Sequence, residues 1–273
     1  MLTWWPALTV GLVLLGIYLV AWWGRPRTLP SWSKWRLGAW IVGTSMVVGA
    51  LSPSLTALAH HDHRFHMGQH LLLGMYAPLA LVLAAPVTLL LGSSPRSLQR
   101  VLTRVLRSRV VHVVSHPVTA AVVNIGGMFL LYLTPLYGAS MAHQAGHGLV
   151  LLHFLAAGWL YAWAIAGPDP APRRPGMATR VTVLIVAAGA HAFLAKFLYA
   201  RAHMFAGHHG DASTMEAAAQ WMYYGGDVAE ILLAVMLFRW WYRRRSAGVR
   251  SSTRQRSELP DSSSRFPLAT GST

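Results

Sequence analysis

The 273-residue chain contains no cysteine. That absence excludes disulfides, thiolate metal centres and thiol redox chemistry, so any bound metal must use His, Met, carboxylate or backbone oxygen. Acidic residues are also scarce, with 8 Asp and Glu against 23 Lys and Arg, and charged residues of both signs make up only 11%. Soluble chains carry roughly 25%, so most of this chain has no water to face. Missing too are a phosphate-binding glycine loop, a dinucleotide fingerprint, a nucleophile elbow and an H-E-x-x-H helix. With none of these, the chain reads as a protein without catalytic turnover. No internal repeat is evident.

What fills the chain is apolar: 54% of residues are hydrophobic. A helix needs about 20 apolar residues to cross a bilayer, and seven stretches qualify: Leu2 to Trp23, Leu37 to Ala59, His66 to Leu91, Val118 to Tyr137, Gly148 to Ala166, Ala178 to Ala200, and Ala217 to Trp241. Pro53, Pro78 and Pro86 fall within or beside these runs, where they are expected to kink helices. The opening run lacks a basic region ahead of it and a small-residue cleavage site, so it is expected to stay as the first helix. The fold class is therefore all-α, a polytopic transmembrane bundle of seven spans over residues 1–245.

Alternate connections carry the arginines. Arg25, Arg27, Lys34 and Arg36 follow the first run; Arg96, Arg100, Arg104, Arg107 and Arg109 follow the third. Arg173, Arg174 and Arg180 follow the fifth, and Arg243, Arg244 and Arg245 the seventh. The other connections hold only Arg64 and Arg201. The positive-inside rule places the N-terminus outside and the C-terminus in the cytoplasm. The net charge of +15 thus fits an anionic leaflet rather than nucleic acid, since no basic patch stands apart from the spans. Arg100, Arg104 and Arg107 share one helical face, which predicts an interfacial helix over about 97–114. Residues 246–273, rich in Ser and Arg, are expected to form a disordered cytoplasmic tail.

Of the 14 histidines, His112 and His116 lie on the arginine-bearing side and are given no site role, and most of the others gather where the arginines do not. His60, His61, His63, His66 and His70 precede or open the third run, His143 and His147 the fifth, and His203, His208 and His209 lie between the sixth and seventh. On the predicted topology all of them face the extracytoplasmic side. His66 and His70 are four apart, so both rings project from one helical face, about 6 Å apart along the axis. That spacing suits two ligands of one metal, and Met67 and Met75 nearby favour Cu(I) over zinc. His143 and His147 repeat the spacing. Histidines at an interface also cap helices and face water, and His60, His61 and His63 alone are equally well explained that way. His153 and His191 lie inside their spans, where a polar group needs a partner; each can be a structural histidine or a ligand. Lys196 and Asp227 fall at similar depths, which predicts an ion pair. Asp227, and Gln69 beside His70, could otherwise orient a ligating imidazole.

Several of these residues sit in recognisable strings: His66-Met67-Gly68-Gln69-His70-Leu71-Leu72-Leu73, then Ala77-Pro78 and Ala85-Pro86, then Leu136-Tyr137 ahead of His143 and His147. Downstream come His153-Phe154-Leu155-Ala156-Ala157-Gly158-Trp159-Leu160, Gly167-Pro168-Asp169-Pro170, His191-Ala192-Phe193 and Gly226-Asp227. In these the chain resembles the CtaG-type cytochrome c oxidase assembly factors of bacterial plasma membranes, from about Leu51 to Trp241. The resemblance implies seven transmembrane helices and a role in maturing a haem-copper oxidase, by delivering copper to its catalytic subunit or exchanging it with another copper chaperone. Some members resemble H-x-x-E-H in the fifth span. Here the acid position is Val150 and the second His position Leu151, which leaves His153 as the substitute ligand.

The resulting expectation is capture and transfer. Outer His60, His61, His63, His208 and His209 collect copper; His66, His70 and His147, with His143 and Met67 nearby, hold it firmly; His153 and His191 form a deeper position. A haem-binding electron carrier with bis-His ligation, such as His70 with His191, is the alternative. A copper transporter ranks last, because the inner halves of the spans are nearly devoid of polar groups.

Overall fold

In the computed structural model of the chain, residues 3–171, 174–205 and 211–257 are described, and all regular structure among them is helical. Arg173, His208, His209 and residues 258–273 lie outside the described residues. The chain divides into two compact units, Met1–Leu237 and Phe238–Thr273.

The first unit opens with α1 (Trp5–Trp23), which has Pro6 in its first turn and is capped by Gly24, followed by α2 (Lys34–Ala50) and α3 (Pro53–Ala59). Pro53 cannot continue the ladder of α2; Ser52 accepts from the Leu55 amide at 3.3 Å and starts α3 afresh, bent 53° from α2. Asp62 then caps α4 (His63–Leu83) by accepting from the Arg64 amide at 2.8 Å. The Arg64 guanidinium holds the Asp62 carboxyl below the usual carboxylate range. Residues Leu72–Tyr76 of α4 form a π-helical turn. α4 ends at Ala85, whose φ of 52° places it in the left-handed region. A residue before proline is disfavoured in the right-handed helix, and here Pro86 begins α5 (Pro86–Ser93) at 40° to α4.

Asp169, from the connection after the fifth apolar run, caps α5 from outside. Its carboxylate accepts from the Val87 amide at 3.1 Å, the Thr88 amide at 2.7 Å and the Thr88 hydroxyl at 2.6 Å. Burial pushes the Asp169 carboxyl up, against the opposing effect of these hydrogen bonds. At the same end Tyr18 donates to the Ala84 carbonyl at 3.0 Å and accepts from the Trp32 indole at 2.9 Å. Arg25 and Arg36 lie over the Trp32 ring, at 4.9 and 4.6 Å.

The expected interfacial helix is two shorter ones, α6 (Arg96–Leu106) and α7 (Arg109–Val114), because Ser108 accepts from the Val111 amide and restarts the helix. The fourth apolar run is shorter than expected: α8 (Pro117–Leu133) has 17 residues and contains a second π turn, Val122–Gly126. It stops at Thr134-Pro135, and α9 (Leu136–Met141) is separate. Then follow α10 (Gln144–Ala166), α11 (Met177–Ala200), the short α12 (Ala202–Phe205) and α13 (Ala212–Ser257). Helix thus persists to Ser257, past the point where a disordered tail was expected to begin at Ser246. In the second unit, Arg244 and Arg245 lie over Trp240 and Trp241, each at 4.7 Å.

Among the described residues, four helices are long and apolar enough to span a membrane: α1, α10, α11 and Ala212–Ser246 of α13. The bent pairs α2–α3 and α4–α5 raise the number to six, and α8 is a shorter apolar helix. α4 and α10 cross at their small residues. A Cβ on Gly158 would overlap the Gly74 carbonyl, so glycine at 158 is what lets the two backbones meet. This crossing puts the histidines of α4 against those of α10.

Candidate functional site

His63, His66, Met67 and His70 are all buried on α4, and each finds a different neighbour. His66 faces His147 of α10, with ring centres 6.0 Å apart. His60, at the end of α3, also packs edge-on against His147, with ring centres 4.8 Å apart. Tyr137 packs edge-on against His66 at 5.1 Å, and its hydroxyl lies 3.3 Å from His63 Nδ1. One turn deeper, His70 faces His191 of α11 at 6.2 Å, and His191 Nδ1 lies 3.6 Å from a carboxylate oxygen of Glu230 on α13. Phe154 packs edge-on against His70 at 4.6 Å. Gly226 seats the His191 ring, which any Cβ there would strike.

Both nitrogens of His66 and of His70 are buried without a hydrogen-bond partner, and so is Nε2 of His147. The His191 nitrogens are likewise unbonded apart from the approach of Glu230. Unpaired buried polar atoms are costly, and seven of them lie on the four rings of these two pairs. The separations are informative. For two imidazoles on opposite sides of one ion, a metal–nitrogen bond of about 2.0 Å with the ring centre about 1.1 Å further back puts the ring centres about 6.2 Å apart. The ring centres of both pairs are separated by about that distance. Among the described residues no group of three or more His, Cys, Asp or Glu is arranged to hold an ion, so the arrangement consists of facing pairs.

The expected residues are thereby sorted. His66, His70 and His147 do not converge on one position; they divide between two. His191 belongs with His70, whereas His153 turns to the other side of α10, where its Nε2 abuts Gly127 of α8. His143 is exposed at the N-terminus of α10, and His61 and His203 are exposed as well. Gln69 orients no histidine: it donates to the Ala50 carbonyl at 2.7 Å and to Thr56 at 3.2 Å, pinning the α2–α3 break to α4. Among the described residues no ion pair joins Lys196 to Asp227. Lys196 is exposed and its ammonium lies 5.0 Å from the Tyr223 ring centre. Glu230, Tyr132 and Tyr137 were not expected at the site. The sequence signal for Glu230 was its position inside an apolar run, which left open the helix face it occupies.

A bundle of apolar helices enclosing two imidazole pairs defines a polytopic membrane protein with a histidine-lined interior. The chain belongs to the cytochrome c oxidase caa3 assembly factor family, whose model matches residues 16–244. Similar curated proteins are uncharacterized ones from Mycobacterium bovis and Mycobacterium tuberculosis, each 35% identical over 190 residues that cover 67% of this chain. One from Mycobacterium leprae is 34% identical over 66% of it. The matched part is 29% of each relative, so the chain spans under a third of their length. No solved structure matches the chain.

Proposed function

We propose that this assembly factor carries copper, capturing it on the extracytoplasmic side and passing it to the catalytic subunit of a haem-copper oxidase or to another copper chaperone, without catalytic turnover. The observation that carries the reading is the two facing imidazole pairs, 6.0 and 6.2 Å between ring centres, in which both nitrogens of His66 and of His70 and Nε2 of His147 lack a hydrogen-bond partner. Two-ligand sites suit Cu(I), a soft ion that imidazole and thioether both accept, and few ligands make release easy. His60 and His63 stand at the entrance of the outer pair, and the inner pair has Glu230 beside it.

The arginine distribution supports seven spans in a bacterial plasma membrane, with α8 as the seventh, the N-terminus outside and the C-terminus cytoplasmic. On that topology both pairs lie toward the outer face. A haem between His70 and His191 has less support, because Phe154 and the Gly74 backbone crowd the His70 ring. Metal analysis with an absorption spectrum of protein purified from copper-supplemented cells tests the reading. Bound copper without a Soret band is expected. A Soret band on copper-free protein would replace copper with haem.

A further inference from the structure

A cleft of about 880 Å³ opens beside His66. Three methionines from three helices line it, Met67 of α4, Met204 of α12 and Met215 of α13, together with His63, His66 and Tyr137. Their exposure is graded: Met204 is 72% exposed, Met215 4% and Met67 1%. Met204 is also touched by the Arg201 guanidinium, 3.9 Å from its sulfur, a contact that leaves the side chain open to solvent. At the inner end both His66 nitrogens are unpartnered.

We infer that this cleft is a loading vestibule for Cu(I), in which Met204 and Met215 hand the ion to Met67 and His66. The inference rests on the copper reading above and adds the route and its selectivity. None of the described lining residues is Asp or Glu, so the walls offer no anion to offset a hard divalent cation. Desolvation of an ion scales with the square of its charge, so a divalent ion entering these walls costs about four times what a monovalent ion does. Thioethers favour the soft monovalent ion over zinc, calcium or magnesium. Met67 follows His66 directly in α4, so an ion reaching its sulfur is already at the level of the outer pair.

The test uses the full chain in detergent, without oxygen, with Cu(I) supplied from a coloured chelate whose bleaching reports transfer. Leucine replaces methionine with little change in volume, so Met204→Leu/Met215→Leu retains the packing, and Met204→Leu alone alters only an exposed position. Loading should slow about tenfold in the double variant and about threefold in Met204→Leu, as soft ligands are lost. Copper bound at equilibrium should change less than twofold, since the imidazole pairs remain. Met46→Leu, on α2 and outside the cleft lining, should load like wild type. Equal loading rates in wild type and both vestibule variants would overturn the vestibule alone. A wild-type chain that removes no Cu(I) from the chelate would overturn the copper reading, and the vestibule with it.

Discussion

His70 of α4 and His191 of α11 face each other with ring centres 6.2 Å apart, and a Glu230 carboxylate oxygen lies 3.6 Å from Nδ1 of the far ring. One turn of α4 away, His66 and His147 stand in nearly the same relation, with interplanar angles of 34° and 35° for the two pairs. The repetition makes α4 a common rail for two positions, each completed by a different helix.

Loss of either partner of a pair should therefore act alike. We predict that His70→Ala and His191→Ala each remove one Cu(I) equivalent, or weaken it by about 1.4 kcal/mol or more per lost ligand, a tenfold change. His153→Ala, whose ring faces Gly127 instead, should bind copper like wild type. Competition titration with a Cu(I) chelator measures all three. If His153→Ala loses as much as His191→Ala, the pairing inferred from the ring positions is mistaken.

Gly226 offers a way to disturb one position without removing a ligand. Alanine there would strike the His191 ring, forcing it to another rotamer. Gly226→Ala should weaken copper at the inner pair while the outer pair, served by α10, stays intact. Stoichiometry falling from two to one would show this. An unchanged stoichiometry would mean that the ring can move and still bind.

Gly158→Ala addresses the α4–α10 crossing instead. A methyl group aimed at the Gly74 carbonyl must push the helices apart, and such overpacking costs typically 1–3 kcal/mol. We expect a lower unfolding temperature in detergent and loss of the outer pair, because His147 rides on α10. Full stability in Gly158→Ala would show the crossing to be looser than the structure has it.

Asp169 provides the contrasting case. Asp169→Ala removes three hydrogen bonds from the start of α5, at a cost of about 1–2 kcal/mol. Since this cap lies at the arginine-bearing end, copper binding at 25 °C should be unaffected. A copper defect matching that of His70→Ala would connect the two ends of the bundle in a way no contact described above explains.

Topology is testable because the chain has no cysteine. A single cysteine at Ser213 should react with an impermeant thiol reagent on intact cells, and one at Ser94 should not. The reverse pattern would place both histidine pairs at the cytoplasmic side.

Much of the frame was legible in the residues themselves. Apolar runs long enough to cross a bilayer are set by composition, and the breaks at Pro53 and Pro86 follow from proline's missing amide and its restriction of the preceding residue. The i, i+4 spacing correctly placed His66 and His70 on one face of α4. It could not reveal that a turn of rise gives each ring a different partner helix. Which way α11 is rotated decides that His191 meets His70, and nothing local to residues 177–200 encodes that rotation. Lys196 and Asp227 show the same gap: similar depth suggested an ion pair, but the faces they occupy put Lys196 over Tyr223. Gln69 was read as a neighbour of the site, while its amide reaches back to Ala50 and Thr56, contacts that only the folded break between α2 and α3 creates.

The π turn at Leu72–Tyr76 begins two residues after His70. A π turn holds one residue more than the α-helical path needs, and each residue advances a helix by about 100°. That surplus residue is absorbed in the wide turn, so the histidine-bearing half of α4 and the half that packs on α2 keep the phase of an α-helical path. Deleting Leu72 should therefore restore ordinary α-helix and leave His63, His66 and His70 turned toward the rings they face. The same deletion in the regular helix beyond the turn would swing them by about 100°. The turn is thus the place in α4 where a one-residue change of length leaves the imidazole pairs in register.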